Sequence, residues 1–249
     1  MKKNIQLKSI VAAAITMVAL HAYAAPITVN AGETYSYEGN NYAYTGTATV
    51  NLSEDVMGVF ELASVVVSTS GPASYTPPSA SVPLTSLSID SSTRQISSLG
   101  TIGGAVLTIP KSGVSKTGGN VVLSNITFDV ASRTVFADLT GTNGAGSVAH
   151  MAAFTAKSIT GTTLLQDNSF VTTANNWEPR PEALAFLTQA MGLNKVGTSA
   201  LAALTDFGSA NIAVTVTPVP ESSTYAMTLV GLIGVGVLRR GQMRRRLSA

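Results

Sequence analysis

The clearest structural signal in this sequence is TYSYEGNNYAYT at residues 34–45. Tyrosine alternates with small or polar residues on both sides of a Gly-Asn pair, which suits a two-residue hairpin turn with positive φ. Because side chains alternate along a strand, all four tyrosine rings are expected on the same side of the hairpin. With the turn at Gly39-Asn40, the predicted cross-strand pairs are Tyr37 with Tyr42 and Tyr35 with Tyr44.

This hairpin allows two interpretations of its tyrosines. Flat rings on a rigid hairpin could stack on sugar faces, with neighbouring Asn and Glu side chains as hydrogen-bond partners, which would make the hairpin a glycan-binding site. Alternatively, cross-strand tyrosine pairs are ordinary sheet packing, worth about 0.2–1 kcal/mol each. Packing is the favoured interpretation, and glycan binding is kept as the alternative. The residues concerned are Tyr35, Tyr37, Tyr42 and Tyr44.

Short strand patterns continue along the chain after the hairpin. Residues 56–69 predict a long strand whose Val65-Val66-Val67 run is buried on both faces, and the proline-rich segment 71–83 predicts a loop or an edge crossing. Further strands are predicted at residues 82–90, 94–99, 105–109, 121–130, 133–139, 149–160, 162–172 and 212–217. Those at 121–130 and 133–139 are expected to form a second hairpin. Many short strands with turn residues between them favour an all-β fold, a β-sandwich or a β-roll.

A helical excursion interrupts the strand pattern near residues 181–207. Pro181 suits the first turn of a helix, apolar residues recur at spacings of three and four, and Gly192 is a stop signal. A second, shorter helix is predicted at 198–207, with Thr198 as its cap and Gly208 as its end.

Composition restricts the classes of function open to residues 25–221. Three of the 15 basic residues precede this body and five follow it, so seven remain against all 13 acidic residues, a net charge of −6. An acidic body lacks the electrostatic footprint of a nucleic-acid-binding protein, so no nucleic-acid partner is expected. The chain has no cysteine, which excludes disulfides, thiolate metal ligands and cysteine nucleophiles.

No catalytic constellation is recognisable in this body. His150 is its single imidazole, no nucleophile-elbow motif surrounds a serine, and no metal-ligand spacing is present, so neither a metal nor a cofactor is predicted. His150 and the single tryptophan, Trp177, are both expected to be structural, although Trp177 could instead be an exposed ligand platform. A secreted hydrolase remains a less favoured alternative, built from distant carboxylates such as Glu33, Glu61, Asp129 and Asp138.

The N-terminal segment has the three parts of a secretory signal peptide. Three lysines precede an apolar run at residues 10–20, and Ala22 and Ala24 supply the small residues before the cleavage site. Cleavage is expected before Ala25, so residues 1–24 would not belong to the fold. The Sec translocon and signal peptidase are the partners that this segment predicts.

The C-terminal segment combines Val219-Pro220-Glu221, an apolar run at 225–238 interrupted by glycines, and a basic end. In this order of parts it resembles the PEP-CTERM sorting signal of many Gram-negative surface proteins, with Ser222 where the family has a second proline. The apolar run is expected to form a transient helix in the inner membrane, with its arginines on the cytoplasmic side. The basic residues are Arg239, Arg240, Arg244, Arg245 and Arg246.

The resemblance covers residues 218–246 and implies how the chain is handled. It implies that Pro220 and Glu221 form the recognition element of an exosortase, which would remove the tail and release the body to the cell surface or the extracellular matrix. It also implies an association with exopolysaccharide and biofilm material. The expected organisation is therefore a signal peptide (1–24), an exported, non-enzymatic β-rich domain (25–217) and a sorting signal (218–246).

Overall fold

Thirteen strands form one antiparallel sheet in the computed structural model, which describes residues 26–220. This arrangement confirms the all-β class that the sequence predicts. The strands are β1 (Ile27–Asn30), β2 (Thr34–Tyr37), β3 (Asn40–Leu52), β4 (Val66–Ser70), β5 (Ser74–Thr76), β6 (Ser79–Ile89), β7 (Ile96–Thr101), β8 (Gly104–Ile109), β9 (Gly119–Asp129), β10 (Thr134–Gly141), β11 (Gly146–Gly161), β12 (Phe170–Pro179) and β13 (Gly208–Val219).

Eight of these strands hydrogen-bond in a closed cycle. Their order is β6, β3, β13, β12, β11, β10, β9 and β7, and β7 pairs back with β6. The other five strands extend the cycle: β1 and β5 pair with β6, β2 with β3, β8 with β9, and β4 with β8. Because one sheet curls round to meet itself, a rolled sheet describes this pairing better than two separate sheets.

Alternation along the strands places the hydrophobic core inside the cycle. In β13, Ala210, Ile212, Val214 and Val216 are buried, and the residues between them face outward. This is the period-2 pattern of a strand with one buried face, and it confirms the predicted final strand at 212–217.

Three short helices accompany the sheet: α1 (Glu54–Leu62), α2 (Pro181–Ala190) and α3 (Lys195–Ala202). The helical excursion predicted near 181–207 is thereby confirmed, with Pro181 at the start of α2 and Gly192 in the left-handed region (φ 59°) just after its end. The predicted cap of the second helix was wrong. Asn194, not Thr198, accepts the backbone N–H groups of Val196 and Gly197.

The predicted register of the tyrosine hairpin was also wrong. The two turn residues are Glu38 (φ 49°) and Gly39 (φ 79°), so Asn40 belongs to β3. Tyr35 therefore pairs with Tyr42, and Tyr37 pairs with Asn40. Glu38 adopts the left-handed conformation that was predicted for Asn40. The local sequence does not distinguish a turn at Glu38-Gly39 from a turn at Gly39-Asn40. The four rings nevertheless share one face of the hairpin, because the shift moves the pairing by two residues.

Residues 54–62 form a helix, which replaces the first part of the strand predicted at 56–69. Ser53 caps α1 by accepting the N–H of Val56, and Glu54 and Asp55 lie in its first turn, where acidic residues are favourable. Val56 and Phe60, four residues apart, are buried. Only β4 remains of the predicted strand, at the end of the sheet, and the Val66 side chain is 63 % exposed rather than buried on both faces.

Two further segments differ from prediction. The proline-rich segment 71–83 contains β5 and the start of β6, with Pro77 and Pro78 in the turn between these strands. The strand predicted at 162–172 lies later, at β12, which includes Trp177.

The predicted hairpin of residues 121–130 and 133–139 is confirmed by β9 and β10.

Candidate functional site

The tyrosine hairpin lies mostly in the core. Tyr35, Tyr42 and Tyr44 are buried, and Tyr37 is partly exposed. The Tyr35 and Tyr42 rings stack with their centroids 5.5 Å apart. The Tyr44 hydroxyl donates to the carbonyl oxygen of Val29 at 2.8 Å, which joins β3 to β1. Burial raises the pKa of both Tyr35 and Tyr44.

Arg94, in the loop between β6 and β7, completes this cluster. Its guanidinium carbon lies 4.8 Å from the Tyr37 ring centroid and 5.6 Å from that of Tyr42, within the range of cation–π attraction. The same group donates to the Tyr35 hydroxyl at 3.3 Å and pairs with Asp167 at 2.7 Å. No sequence pattern pointed to Arg94, although an isolated basic residue in an acidic body was a possible signal.

Burial limits the aromatic surface that this cluster exposes to a ligand. Only Tyr37 keeps part of its ring at the surface, and the Arg94 side chain, 13 % exposed, covers that ring. The hairpin therefore presents one partly exposed ring rather than a platform of four. Glycan binding at the hairpin stays a prediction, and the packing interpretation accounts for the observed contacts.

A cavity of about 110 Å³ lies in the core, lined both by strands of the cycle and by strands outside it. Its walls come from β3, β4, β5, β6, β8, β9, β10, β11 and β12, and Phe60 of α1, Leu187 of α2 and Phe207 complete them. A void of about 20 Å³ lies beside it, with Val50, Val82 and Trp177 among the residues that line both. Strands distant in sequence assemble this space, so no local motif predicts it.

Trp177 is the most unusual group in the cavity wall. It is 6 % exposed, which confirms the expectation of a structural tryptophan over an exposed platform. Its ring packs against Phe154, with centroids 5.7 Å apart, and Phe154 packs against Phe207 at 5.5 Å. The indole Nε1–H is buried and has no hydrogen-bond acceptor within residues 26–220. Buried tryptophan N–H groups usually have a partner.

His150 lies on the surface at an irregularity between β10 and β11. Its backbone is left-handed (φ 50°), its N–H donates to the Asp138 carboxylate at 2.7 Å, and its ring stacks flat on Phe136 with centroids 4.3 Å apart. The side-chain hydrogen bond from Asn125 and the backbone N–H of His150 hold the pKa of Asp138 below its ordinary value. These contacts support a structural histidine.

The carboxylates named as hydrolase candidates make local contacts. Glu33 accepts from the backbone and side chain of Asn30, and these bonds lower its pKa. Asp129 accepts from Ser132 in the turn that follows β9. Within residues 26–220, no three His, Asp or Glu side chains are grouped so that they could hold a metal ion.

Most residues of the predicted processing signals lie outside the described residues. This applies to the signal peptide with its cleavage residues Ala22, Ala24 and Ala25, to the helix expected at 225–238, and to Glu221 and the five tail arginines. Pro220 is the last described residue and is exposed, directly after β13. Between residues 26 and 220, none of the helices has the length and apolar character needed to cross a membrane.

No protein-family profile matches this chain, and no curated protein matches it either.

Proposed function

We propose that this chain is an exported, non-enzymatic protein of the cell surface or extracellular matrix, sorted through its C-terminal tail. The observation that carries the proposal is the order of three features in residues 218–246: Pro220-Glu221, the apolar run at 225–238, and the five arginines. An exosortase-type protease of the inner membrane is the proposed processing enzyme. Exopolysaccharide is the proposed surrounding material.

The position of Pro220 supports recognition by a membrane protease. The β13 strand ends at Val219, and Pro220 is already exposed. The recognition element thus begins one residue beyond the sheet, so a protease reaches it without opening a strand. Removal of the tail after Pro220 would leave all thirteen described strands intact.

The outer face of the body is suited to a hydrated matrix. Uncharged side chains hydrogen-bond across neighbouring strands at the surface, so this exterior is polar with few charges. Examples are Thr28 with Ser88, Thr140 with Ser147, and Thr173 with Asn211. Only 11 % of the chain is charged. Such a surface interacts weakly with ions and is compatible with neutral polysaccharide.

The test of sorting is the double variant Pro220→Ala/Glu221→Ala, produced in a bacterium that has an exosortase. The intact mass of the protein and its distribution between membrane and medium are measured. Wild type is expected to lose the tail and reach the surface or medium, whereas the double variant is expected to keep the tail and remain in the membrane fraction.

The residue that departs from the family pattern provides a matched control. Ser222→Pro restores the second proline and is expected to be processed at least as fast as wild type. Deletion of the exosortase is expected to reproduce the double variant. Identical mature C-termini and identical fractionation of wild type and the double variant would refute the sorting proposal.

A further inference from the structure

We propose that the groove between α1 and the segment of β4 and β5 binds an extended peptide of a partner protein, one that combines apolar and basic residues. The peptide would add a strand to the free edge of β4, while its basic side chains would pair with Glu54 and Glu61 on α1. The groove has no part in the sorting of the chain, so this inference and the sorting proposal can fail independently.

β4 presents an unpaired edge. It is the last strand at one side of the sheet, and within residues 26–220 it pairs only with β8. Edge strands of natural proteins are usually protected by charged residues, prolines or bulges. The five residues of β4 include no charge and no proline, and their ladder with β8 is regular. The outer edge of β4 is therefore open to a further strand.

A surface groove with a volume of about 780 Å³ runs along this edge. Residues 65–67 line it, and side chains alternate between the two faces of a strand. Three consecutive lining residues therefore indicate that the groove follows the edge of the strand rather than one of its faces. The other walls come from α1 and from Tyr75, Pro77 and Pro78. A peptide laid beside β4 would occupy this space.

The walls of the groove are mostly apolar. Apart from Glu54, Glu61 and the hydroxyl group of Tyr75, the side chains that line it in the described chain carry no polar group. Val66 is 63 % exposed, so a bound strand would remove a large apolar side chain from water. In strand addition, backbone hydrogen bonds provide affinity, and contacts with alternate side chains provide specificity. Apolar side chains are therefore expected at alternate positions of the peptide.

Both charged groups that line the groove in the described chain are acidic. Glu54 and Glu61 are seven residues apart, nearly two turns of α1, so they share one side of the helix about 10 Å apart along its axis. Neither makes a salt bridge within residues 26–220. A distance of about 10 Å corresponds to about three residues of an extended strand. Two basic residues three or four positions apart in the peptide would reach both carboxylates.

These charges favour a different protein over a second copy of this chain. Edge-to-edge pairing of β4 with β4 of another molecule would bring two α1 helices together. Each helix carries Glu54, Asp55 and Glu61 and no basic residue. Like charges repel, and at a shared interface they oppose association. A basic partner gains attraction from the same groups.

The position of the groove leaves it accessible when the tail is in a membrane. Leu52, which lines the groove, pairs with Gly208 at the start of β13, whereas the tail follows Val219 at the end of that strand. The 12 residues of β13 span about 35 Å. With the tail in a membrane, the groove would lie toward the end of the body that faces away from it.

The test uses the purified full chain and two fluorescein-labelled peptides, Thr-Lys-Val-Thr-Val-Lys-Thr and its acidic counterpart Thr-Glu-Val-Thr-Val-Glu-Thr. Fluorescence anisotropy measures the binding of each. The basic peptide is expected to bind saturably and at least about tenfold more tightly than the acidic one, because two pairs of opposite charges replace two pairs of like charges. It is also expected to slow the exchange of those β4 amides that do not bond to β8 by at least about fivefold, which NMR measures residue by residue.

Two matched pairs of variants locate the binding. Val66→Lys places a positive charge at the edge of β4 and is expected to weaken binding of the basic peptide at least about tenfold. Val196→Lys changes a similarly exposed valine of α3 and is expected to bind like wild type. Glu54→Gln is expected to weaken binding about threefold, whereas Glu182→Gln makes the same change in the first turn of α2 and should leave it unchanged.

Any of four results overturns the proposal. The basic peptide does not bind saturably, or binds no more tightly than the acidic one; it binds wild type and folded Val66→Lys equally; it binds without slowing exchange in β4; or sedimentation shows a wild-type dimer that Val66→Lys dissociates, which would make a second copy the occupant. Circular dichroism establishes that each variant is folded. If Val66→Lys does not fold, Ser68→Lys at another exposed position of β4 replaces it.

Discussion

Tyr44 shows how a single side chain connects strands in this molecule. It is completely buried in β3, and its hydroxyl donates to the Val29 carbonyl oxygen of β1. Arg94 plays a similar part on the same face, since it contacts Tyr35, Tyr37 and Asp167 from a loop. At the scale of the residue, polar groups inside this fold tie together segments that are distant along the chain.

We expect Tyr44→Phe to lower the free energy of unfolding by about 1 kcal/mol, because it removes a buried hydrogen bond and little else. Urea unfolding measures the change. The matched control is Tyr42→Phe in the same strand, whose hydroxyl makes no protein hydrogen bond within residues 26–220, and which should change stability by less. Equal losses in the two variants would contradict the role assigned to the Tyr44 hydroxyl.

Tyr44 is also expected to make the protein less stable at alkaline pH. Burial, followed by the charge of Glu33, raises the pKa of Tyr44 above the ordinary tyrosine value of about 10. The unfolded chain therefore loses this proton at lower pH than the folded one, so the stabilisation is complete below pH 10 and is lost as the pH rises further. Urea unfolding between about pH 8 and pH 11 should show a smaller loss for Tyr44→Phe than for wild type. If the free energy of unfolding falls equally with pH in the two proteins, Tyr44 does not cause the alkaline loss of stability.

At the scale of the element, α1 depends on its cap. The Ser53 hydroxyl accepts the N–H of Val56 at 3.2 Å and donates to the carbonyl oxygen of Asp206 at 2.7 Å, so it fixes both the start of the helix and its attachment to the body. The position of α1 matters because Phe60 lies in the wall of the inner cavity.

Ser53→Ala is expected to cost about 1–2 kcal/mol of stability, since it removes an N-cap and a tertiary hydrogen bond. Ser199→Ala makes the same change at an exposed position inside α3 and should be nearly neutral, because alanine is the better helix former. Denaturant unfolding of both variants gives the comparison. A Ser53→Ala protein as stable as Ser199→Ala would mean that the cap does not stabilise α1.

The same elements show how far the sequence alone predicts this fold. The β9–β10 hairpin, the alternation in β13 and the proline start of α2 depend on local patterns, and all three are confirmed. The strand predicted at 56–69 was wrong over residues 56–62, because the β-branched and aromatic residues of this stretch outweighed the signal of Ser53 followed by two acidic residues. The tyrosine register was wrong because Glu38 adopts a positive φ that its residue type does not suggest.

The candidate site could be predicted only in part. Burial of the single tryptophan followed from its size and its position before a helix. The cavity beside it did not, because nine strands and two helices contribute to the wall and each contributes only a few residues. The partners of Arg94 were hidden for the same reason, since Asp167 and the tyrosines are more than fifty residues away on either side of it.

At the scale of the whole molecule, the strand cycle has one weak seam. Only three residue pairs join β7 to β9, whereas twelve join β13 to β3. Fewer hydrogen bonds make local opening easier, so those amides at 98–100 and 127–129 that bond across this seam are expected to exchange with deuterium at least about tenfold faster than those at 210–216. Exchange followed by mass spectrometry measures this. Equal protection of both regions would show that the cycle opens only as a unit.

The long ladder between β13 and β3 also dictates the order of events during biosynthesis. Residues 208–219 emerge from the ribosome last among the described strands, yet they lie between β3 and β12 and connect the two halves of the sheet. Contacts this distant in sequence form slowly. A polypeptide threaded through a membrane from its N-terminus would thus acquire its native state only after nearly all of it had been delivered, when just the tail is still in transit.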